Sequence, residues 1–110
     1  MSCKIVATRR FEKDLKKLNK KYPSLPSDLR SLREELQSNP KSGTSLGKNC
    51  FKVRVAIKSK GRGKSGGARV ITYLVDESQE HMTILLLSIY DKSEISSLSD
   101  RELVELVEQI

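Results

Sequence analysis

The residues from 41 to 75 contain nine basic side chains and no acidic one. A solvated surface ordinarily mixes charges of both signs, so a segment this one-sided suggests a specific anionic partner. Its centre, SKGRGKSGG from Ser59 to Gly67, alternates cations with glycines, and glycine lets backbone amides approach an anion closely. Clustered cations repel one another unless an anion offsets them, and the pattern therefore favours binding to the phosphates of a nucleic acid.

The basic segment differs from the rest of the chain in its charge balance. Residues 1–40 hold ten basic and five acidic side chains, and residues 76–110 hold two basic and nine acidic. The whole chain of 110 residues carries a formal net charge of +7. The acidic C-terminal third either faces solvent or neutralises part of the basic surface. For the basic segment, the alternative interpretation is a solvated turn whose charges serve only solubility.

The Gly63-Lys64-Ser65 triplet resembles the end of a nucleotide-binding phosphate loop. That motif requires a glycine at the position that Lys58 occupies here. The triplet also joins two predicted strands, whereas a phosphate loop leads from a strand into a helix. Nucleotide hydrolysis is therefore not expected.

Few other residues have side chains that could take part in catalysis or bind a metal. Tyr90 ends an apolar segment, where its ring either packs at the edge of the core, stacks on a base or transfers a proton. His81, the one histidine, lies beside an acidic turn and is interpreted as a surface residue. Cys3 and Cys50 have neither the spacing of a zinc site nor the density of a disulfide framework, so we expect no metal and no cofactor.

Hydrophobic periodicity predicts the helices that position these residues. Thr8 can cap a first helix that ends at Tyr22-Pro23, and a second helix starts at Leu25 and ends before Asn39-Pro40. Ser99 and Glu102 fit a capping box that opens a third helix extending to residue 110. The apolar stripes of the first two helices recur at helical spacing at Phe11, Leu15, Leu18 and Tyr22, and at Leu25, Leu29, Leu32 and Leu36.

Alternation and β-branched residues predict the strands. A short strand over Lys4–Ala7 precedes the helices, residues 41–49 have the composition of a loop, and Phe51–Ile57 alternates apolar with basic residues. Ala68–Val75 and His81–Tyr90 complete the set, the last being buried on both faces. The prediction is an α+β fold in one domain over residues 1–110, with an N-terminal helical hairpin packed on an antiparallel sheet and a C-terminal helix.

Within this arrangement the cations converge. Lys52, Arg54 and Lys58 are predicted on one strand face, and Arg69 begins the adjacent strand. The turn between them extends the same positive surface through Lys60, Arg62 and Lys64.

No apolar stretch approaches the ~20 residues that cross a bilayer, and residues 1–10 lack the apolar block of a secretion signal. We therefore expect a cytoplasmic protein that does not contact a membrane.

Two stretches carry a resemblance to a known family: FKVRVAIKSKGRGKSGGARVITYLVD and LLLSIYDKSEISSLS. The basic strand, the turn KGRGK, the start GGARVI of the next strand and the sequence IYDKSE follow in the order found in the RelE/ParE superfamily of toxins. The chain most resembles the HigB-like RelE branch, from about residue 3 to residue 100. The resemblance implies a RelE-like fold and the toxin component of a type II toxin-antitoxin module.

The activity that the resemblance implies is a ribosome-dependent mRNA endonuclease, or mRNA interferase, which inhibits translation. Cleavage in this branch uses no metal, because the 2′-hydroxyl attacks the adjacent phosphate. The implied partners are the ribosome with its mRNA and a cognate antitoxin protein that keeps the toxin inactive. The toxin-antitoxin complex is implied to bind operator DNA through the antitoxin.

The resemblance also implies roles for particular residues. Arg69 matches the arginine that holds the scissile phosphate, and Tyr90 matches the tyrosine that orients or stacks on the substrate. Arg54 and Lys58 match the basic positions of the preceding strand, where a lysine with a lowered pKa can act as the base. The side chains implied to grip RNA phosphates are Lys52, Lys60, Arg62, Lys64 and Lys92.

One departure from the family pattern concerns the acid. RelE carries an arginine on the last strand shortly before the tyrosine, whereas residues 82–89 here contain none. Arg62 and Lys92 are the alternative candidates for that role. Two alternatives from other classes stay open: a ParE-like toxin that binds DNA gyrase without catalysis, and a basic RNA-binding module.

Overall fold

A computed structural model describes residues 2–61, 63–64, 66–77, 81–94 and 99–110 of the chain. These residues form three helices and a five-stranded sheet in the order β1-β5-β4-β3-β2. The strands are β1 Ser2–Ala7, β2 Thr44–Gly47, β3 Cys50–Val55, β4 Ala68–Glu77 and β5 His81–Asp91. The helices are α1 Arg9–Lys21, α2 Leu25–Ser38 and α3 Asp100–Glu108, and a 3-10 turn spans Lys58–Lys60.

The three predicted helices are confirmed, and their ends have the expected causes. The Thr8 side chain accepts a hydrogen bond from the Phe11 amide at the start of α1. Before α3, Ser99 and Glu102 form the full capping box, in which each side chain satisfies a backbone amide that the first turn leaves unpaired. None of the helices in the described ranges is both long and apolar enough to span a bilayer.

The sheet is mixed, which corrects the prediction of an antiparallel sheet. β1 lies beside β5 in parallel, with Ile5 opposite Ile84, while the other neighbouring strands pair antiparallel. The α1–α2 hairpin connects β1 at one edge of the sheet to β2 at the other edge, and the chain then returns through β3 and β4 to β5, the parallel partner of β1. The helical hairpin therefore follows a first strand and does not itself form the N-terminus.

A strand, β2, occupies part of the segment predicted as a loop. Lys48 and Asn49 both have positive φ angles, 54° and 60°, as a tight two-residue hairpin turn requires. This turn folds β2 back onto β3, with Thr44 opposite Lys52. β2 is a short edge strand, and only Leu46 in it is even partly buried, so it lacks the apolar alternation that identifies a strand.

Apolar side chains are buried on both faces of the sheet. The face covered by α1 and α2 includes Phe11, Leu25, Val53, Val70 and Ile84, together with ten further buried residues. On the opposite face α3 packs Leu103 and Leu106 over a smaller group: Cys50, Ile71, Leu87 and Tyr90. β5 lies in the middle of both layers, which confirms its predicted burial on two faces.

Candidate functional site

Three of the predicted site residues lie side by side across the sheet. Arg54 on β3 is opposite Arg69 on β4, and Arg69 is opposite Tyr90 on β5. Residues directly opposite one another on neighbouring strands project from the same face. We call these three residues the cross-strand row.

Arg69 is the centre of the row and is only 4% exposed. Its Nη1 donates hydrogen bonds to the carbonyl oxygens of Lys64, at 3.0 Å, and Ala68, at 3.1 Å. Burial lowers the pKa of Arg69, and the charge of Arg54 lowers it further. The two causes act in the same direction, because loss of hydration and a neighbouring cation each destabilise the charged form.

Tyr90 closes the row on its other side. Its hydroxyl oxygen is buried and has no hydrogen-bond partner among the described residues. Burial raises the pKa of Tyr90; the nearby Arg69 opposes this shift and Glu102 adds to it. The hydroxyl therefore keeps its proton at neutral pH and can donate a hydrogen bond next to Arg69.

Lys58 is close to the row but is not on the strand face where it was predicted. β3 ends at Val55, and Lys58 begins the 3-10 turn beyond it. The chain leaves the sheet there because Asp28 of α2 accepts a hydrogen bond from the Lys58 amide, at 3.2 Å. Lys58, Lys64 and Arg54 line one cavity of about 120 Å³ at this edge of the molecule.

The N-terminal end of α2 fixes this turn through a small polar cluster. The Ser59 amide donates to Ser24 Oγ at 2.9 Å, and Ser24 Oγ donates to Asp28 Oδ2 at 2.7 Å. Asp28 is only 3% exposed, so its carboxylate is anchored within the fold. The basic turn is thus held against α2.

A second anchor holds the other end of the turn. Asp91 is fully buried, and its Oδ1 lies 2.6 Å from Lys60 Nζ, while Tyr22 donates its hydroxyl to Oδ2 at 2.5 Å. The amide and hydroxyl of Ser93 also donate to Oδ1. We call Asp91, Lys60, Tyr22 and Ser93 the aspartate cluster.

In the aspartate cluster opposite charges are paired, whereas in the cross-strand row two cations are adjacent. Burial alone would raise the pKa of Asp91, but hydrogen bonds from Lys60, Tyr22 and Ser93 outweigh it and hold the pKa far below its ordinary value. Lys60 also lies 5.6 Å from the centre of the Tyr22 ring, within the range of a cation–π contact. Every charge of this cluster therefore has a partner.

A glycine allows β4 to begin close to β3. A Cβ atom added at Gly67 would lie 2.1 Å from the Val55 carbonyl oxygen, a distance that no side chain tolerates. The Gly67 carbonyl also accepts a hydrogen bond from the Lys92 amide at 3.1 Å. Gly67 thus brings the ends of β3, β4 and β5 together, next to the row.

The residues predicted to grip RNA occupy different environments. Lys60 belongs to the aspartate cluster, and Lys64 is exposed with its Nζ 3.7 Å from Glu35 Oε1. Lys52 is half-buried on β3, and Lys92 is exposed just after β5. Arg62 lies outside the described residues, so its predicted contact with RNA and its role as acid stay predictions.

Sequence reasoning missed the residues that hold the site in place: Asp28, Asp91 and Tyr22. Their partners lie 30 to 69 positions away along the chain, and no local pattern encodes such pairs. One signal was present, because Asp91 directly follows Tyr90 at the end of an almost wholly apolar strand. A charged residue there requires a buried partner.

No model of a known protein family matches the chain. Among solved structures, the fold is similar to that of the E. coli toxin RelE, in a double arginine-to-alanine variant in the free state. The TM-score is 0.61 with 17% sequence identity, and the match covers 100% of this chain and 99% of that chain. The expected RelE-like fold is thereby confirmed, whereas the HigB-like branch stays a prediction.

Proposed function

We propose that this chain is the toxin of a type II toxin-antitoxin module and that it cleaves mRNA on the ribosome. Two findings support the proposal: the RelE-like fold over the whole chain and the cross-strand row on that fold. Fold alone does not decide activity. The proposed activity therefore depends on the chemistry that the row can perform.

The observation that carries the proposal is the buried cation at the centre of the row. Arg69 is buried beside Arg54, and Arg54 forms no ion pair with any described residue. Two adjacent guanidinium groups repel each other, so the arrangement lowers the stability of the fold. Binding of an anion would explain why the arrangement is present. A phosphate between them would relieve the repulsion and accept their planar hydrogen bonds.

The proposed reaction is an internal transfer at the RNA phosphate. The 2′-hydroxyl oxygen forms a bond to the adjacent phosphorus, and the bond from phosphorus to the 5′ oxygen breaks. The products are a 2′,3′-cyclic phosphate and a 5′-hydroxyl end. Negative charge builds up on the non-bridging oxygens in the transition state, where Arg69 and Arg54 are placed to stabilise it.

Two proton transfers complete the reaction. Lys58, beside the row at the 3-10 turn, is the proposed base that accepts the proton of the 2′-hydroxyl. The leaving 5′ oxygen needs a proton, and β5 offers no arginine for this role. Tyr90 is the proposed donor of that proton, because its hydroxyl keeps its proton and has no other partner among the described residues.

The proposed partners follow from the same function. A cognate antitoxin would keep the nuclease inactive in its host, and an acidic partner fits the net charge of +7. In this proposal the complex binds operator DNA through the antitoxin, and the 110 residues act as one cytoplasmic domain. Lys60 positions the turn through Asp91, whereas Lys52, Lys64 and Lys92 contact RNA phosphates.

Expression in bacteria with mapping of mRNA 5′ ends tests the proposal. The wild-type chain should stop growth and produce new 5′ ends within translated regions. Arg69→Ala should abolish these ends, whereas Arg33→Ala, which removes an exposed arginine on α2, should leave them unchanged. Growth arrest with intact transcripts would overturn the nuclease assignment and favour a toxin that binds a protein target such as gyrase.

A further inference from the structure

The outer face of α1 is a second concentration of positive charge, outside the segment discussed so far. α1 contains seven basic and two acidic side chains among its 13 residues. Arg9, Lys13, Lys16 and Lys20 are all exposed and recur at helical spacing, so they form one stripe. The stripe lies opposite the apolar side of α1, whose Phe11 and Leu18 are buried against the sheet. We call it the α1 stripe.

The α1 stripe has a spacing of like charges that is unfavourable for the helix. Its members are three or four residues apart, and like charges at that spacing destabilise a helix. None of the four forms an ion pair within the described part of the chain. By contrast, two other cations of α1 do have partners, since Arg10 pairs with Asp14 and Lys21 pairs with Glu94. The stripe is therefore an unbalanced positive surface that is available to an anion.

We propose that the α1 stripe docks on the phosphate backbone of structured RNA, separately from the strand that the cross-strand row cleaves. From Arg9 to Lys20 the stripe extends about 16 Å along the helix axis, long enough to contact several consecutive phosphates. Positive side chains at regular intervals suit a backbone of regularly spaced charges. The proposal deepens the proposed function, since a ribosome presents such RNA around the mRNA.

Two other anionic partners fit the stripe less well. An amphipathic helix that binds a membrane surface inserts its apolar side, but in α1 that side is buried in the core. A protein partner is bound chiefly through large apolar or aromatic anchors, and the stripe contains none. Contact through charge alone is typical of a nucleic acid backbone.

The position of α1 connects its charged surface to the row. Arg10 and Lys17, on the flank of the helix, line a cavity of about 240 Å³ together with Tyr90 and Glu102. The Tyr90 end of the row is thus bordered by α1. RNA held by the stripe would lie next to the RNA strand that passes Tyr90.

The test is the affinity for purified bacterial ribosomes without mRNA, and for a blunt-ended RNA duplex, over a range of salt concentrations. In the variant Lys13→Gln/Lys16→Gln/Lys20→Gln we expect affinity on the order of tenfold lower at low salt. The slope of log affinity against log salt should fall by about 3, which is about one for each lost phosphate contact. Glutamine has a helix propensity close to that of lysine, so circular dichroism and the melting temperature should show an intact fold.

The matched control removes the same number of charges elsewhere. Lys4, Arg33 and Arg101 are exposed and lie outside α1 and outside the basic segment 41–75, and the variant Lys4→Gln/Arg33→Gln/Arg101→Gln should bind within about twofold of wild type. Equal losses in both triple variants, or no loss in either, would overturn the proposal. So would unchanged RNA binding with lost binding to vesicles of phosphatidylglycerol and phosphatidylcholine.

The docking proposal and the proposed function can be refuted independently of each other. A wild-type protein that produces no new mRNA 5′ ends, yet binds ribosomes through the α1 stripe, would refute only the nuclease assignment. A protein that cleaves mRNA, but whose ribosome affinity is unchanged in the α1 variant, would refute only the docking surface.

Discussion

Tyr90 and Asp91 are consecutive residues of β5, and they belong to two regions with opposite electrostatics. Tyr90 lies in the cross-strand row, where two arginines face each other and a buried hydroxyl has no partner among the described residues. Asp91 lies in the aspartate cluster, where the carboxylate receives hydrogen bonds from three side chains. Successive residues of a strand point to opposite faces, so one strand contributes to both regions.

The aspartate cluster stabilises the fold, whereas the cross-strand row is the proposed site of the chemistry. A buried charge whose bonds are all satisfied fixes the backbone around it, and the aspartate cluster fixes the ends of α1, β5 and the basic turn. Arg54 and Arg69 are like charges on neighbouring strands, and their mutual repulsion costs stability. The row can remain in this state because the aspartate cluster and the Asp28 contacts hold its elements in place.

Removal of the Asp91 charge should have the largest effect on stability. Asp91→Asn leaves Lys60 as a largely buried cation without its carboxylate, and breaking a buried pair costs about 3–5 kcal/mol. Urea unfolding should show this loss. Glu94→Gln, which removes an exposed carboxylate close by, should cost under about 1 kcal/mol. Equal stability of Asp91→Asn and wild type would show that the cluster is not the anchor.

The Tyr22 hydroxyl should contribute less than the Asp91 charge. Tyr22→Phe keeps the ring and its contact with Lys60 but removes the hydrogen bond to Oδ2, which is worth about 2 kcal/mol for a charged acceptor. In the double variant with Asp91→Asn the two losses should not add, because both remove the same bond. If the two losses of unfolding free energy were fully additive, Tyr22 would not act through its hydrogen bond to Asp91.

Tyr90→Phe should have the reverse profile, with an effect on activity and none on stability. Loss of the proposed donor should lower mRNA cleavage on programmed ribosomes by about 100-fold or more, while the unfolding free energy stays equal or rises because a buried, unpaired hydroxyl is removed. Tyr73→Phe, on the neighbouring strand, is the control and should cleave normally. Normal cleavage together with reduced stability in Tyr90→Phe would assign Tyr90 to the core alone.

The smallest effect on stability is expected from a change of pH near neutrality. Because the pKa of Asp91 is lower in the folded state than the ordinary value of about 3.9, its contribution to stability is complete above about pH 5 and is lost as the pH falls below 4. The stability difference between wild type and Asp91→Asn should therefore be constant between about pH 5 and 8 and shrink only in acid. A difference that changes near neutrality would contradict the assignment of the low pKa.

Local patterns were sufficient to predict the helices and the longer strands. Thr8, Ser99 and Glu102 mark helix starts by their own capping chemistry, and the alternation over β3 was correct up to Val55. The parallel pairing of β1 and the short β2 were not predictable in this way. The first joins residues about 80 positions apart, and the second depends on two positive φ angles at Lys48 and Asn49, which are not glycines.

Only part of the site was predictable, because local patterns do not encode contacts between residues that are far apart in the chain. Arg54, Arg69 and Tyr90 were proposed from charge and family resemblance, and the register of three strands brings them together. The alternation in the sequence predicts Lys58 on the strand, whereas its backbone amide donates a hydrogen bond to Asp28 at the start of the 3-10 turn. The partners Tyr22, Lys60 and Asp91 come together only in the tertiary structure.

The most direct test of the account is a paired measurement on Arg54→Gln, with Arg30→Gln as an exposed control. We predict that Arg54→Gln lowers mRNA cleavage on ribosomes about 100-fold, as for loss of one group that stabilises the transition state. Its unfolding free energy should equal or exceed that of wild type, because the repulsion of Arg69 is relieved. Wild-type cleavage by Arg54→Gln, or a large loss of stability, would contradict the claim that the row is maintained for binding and cleaving RNA.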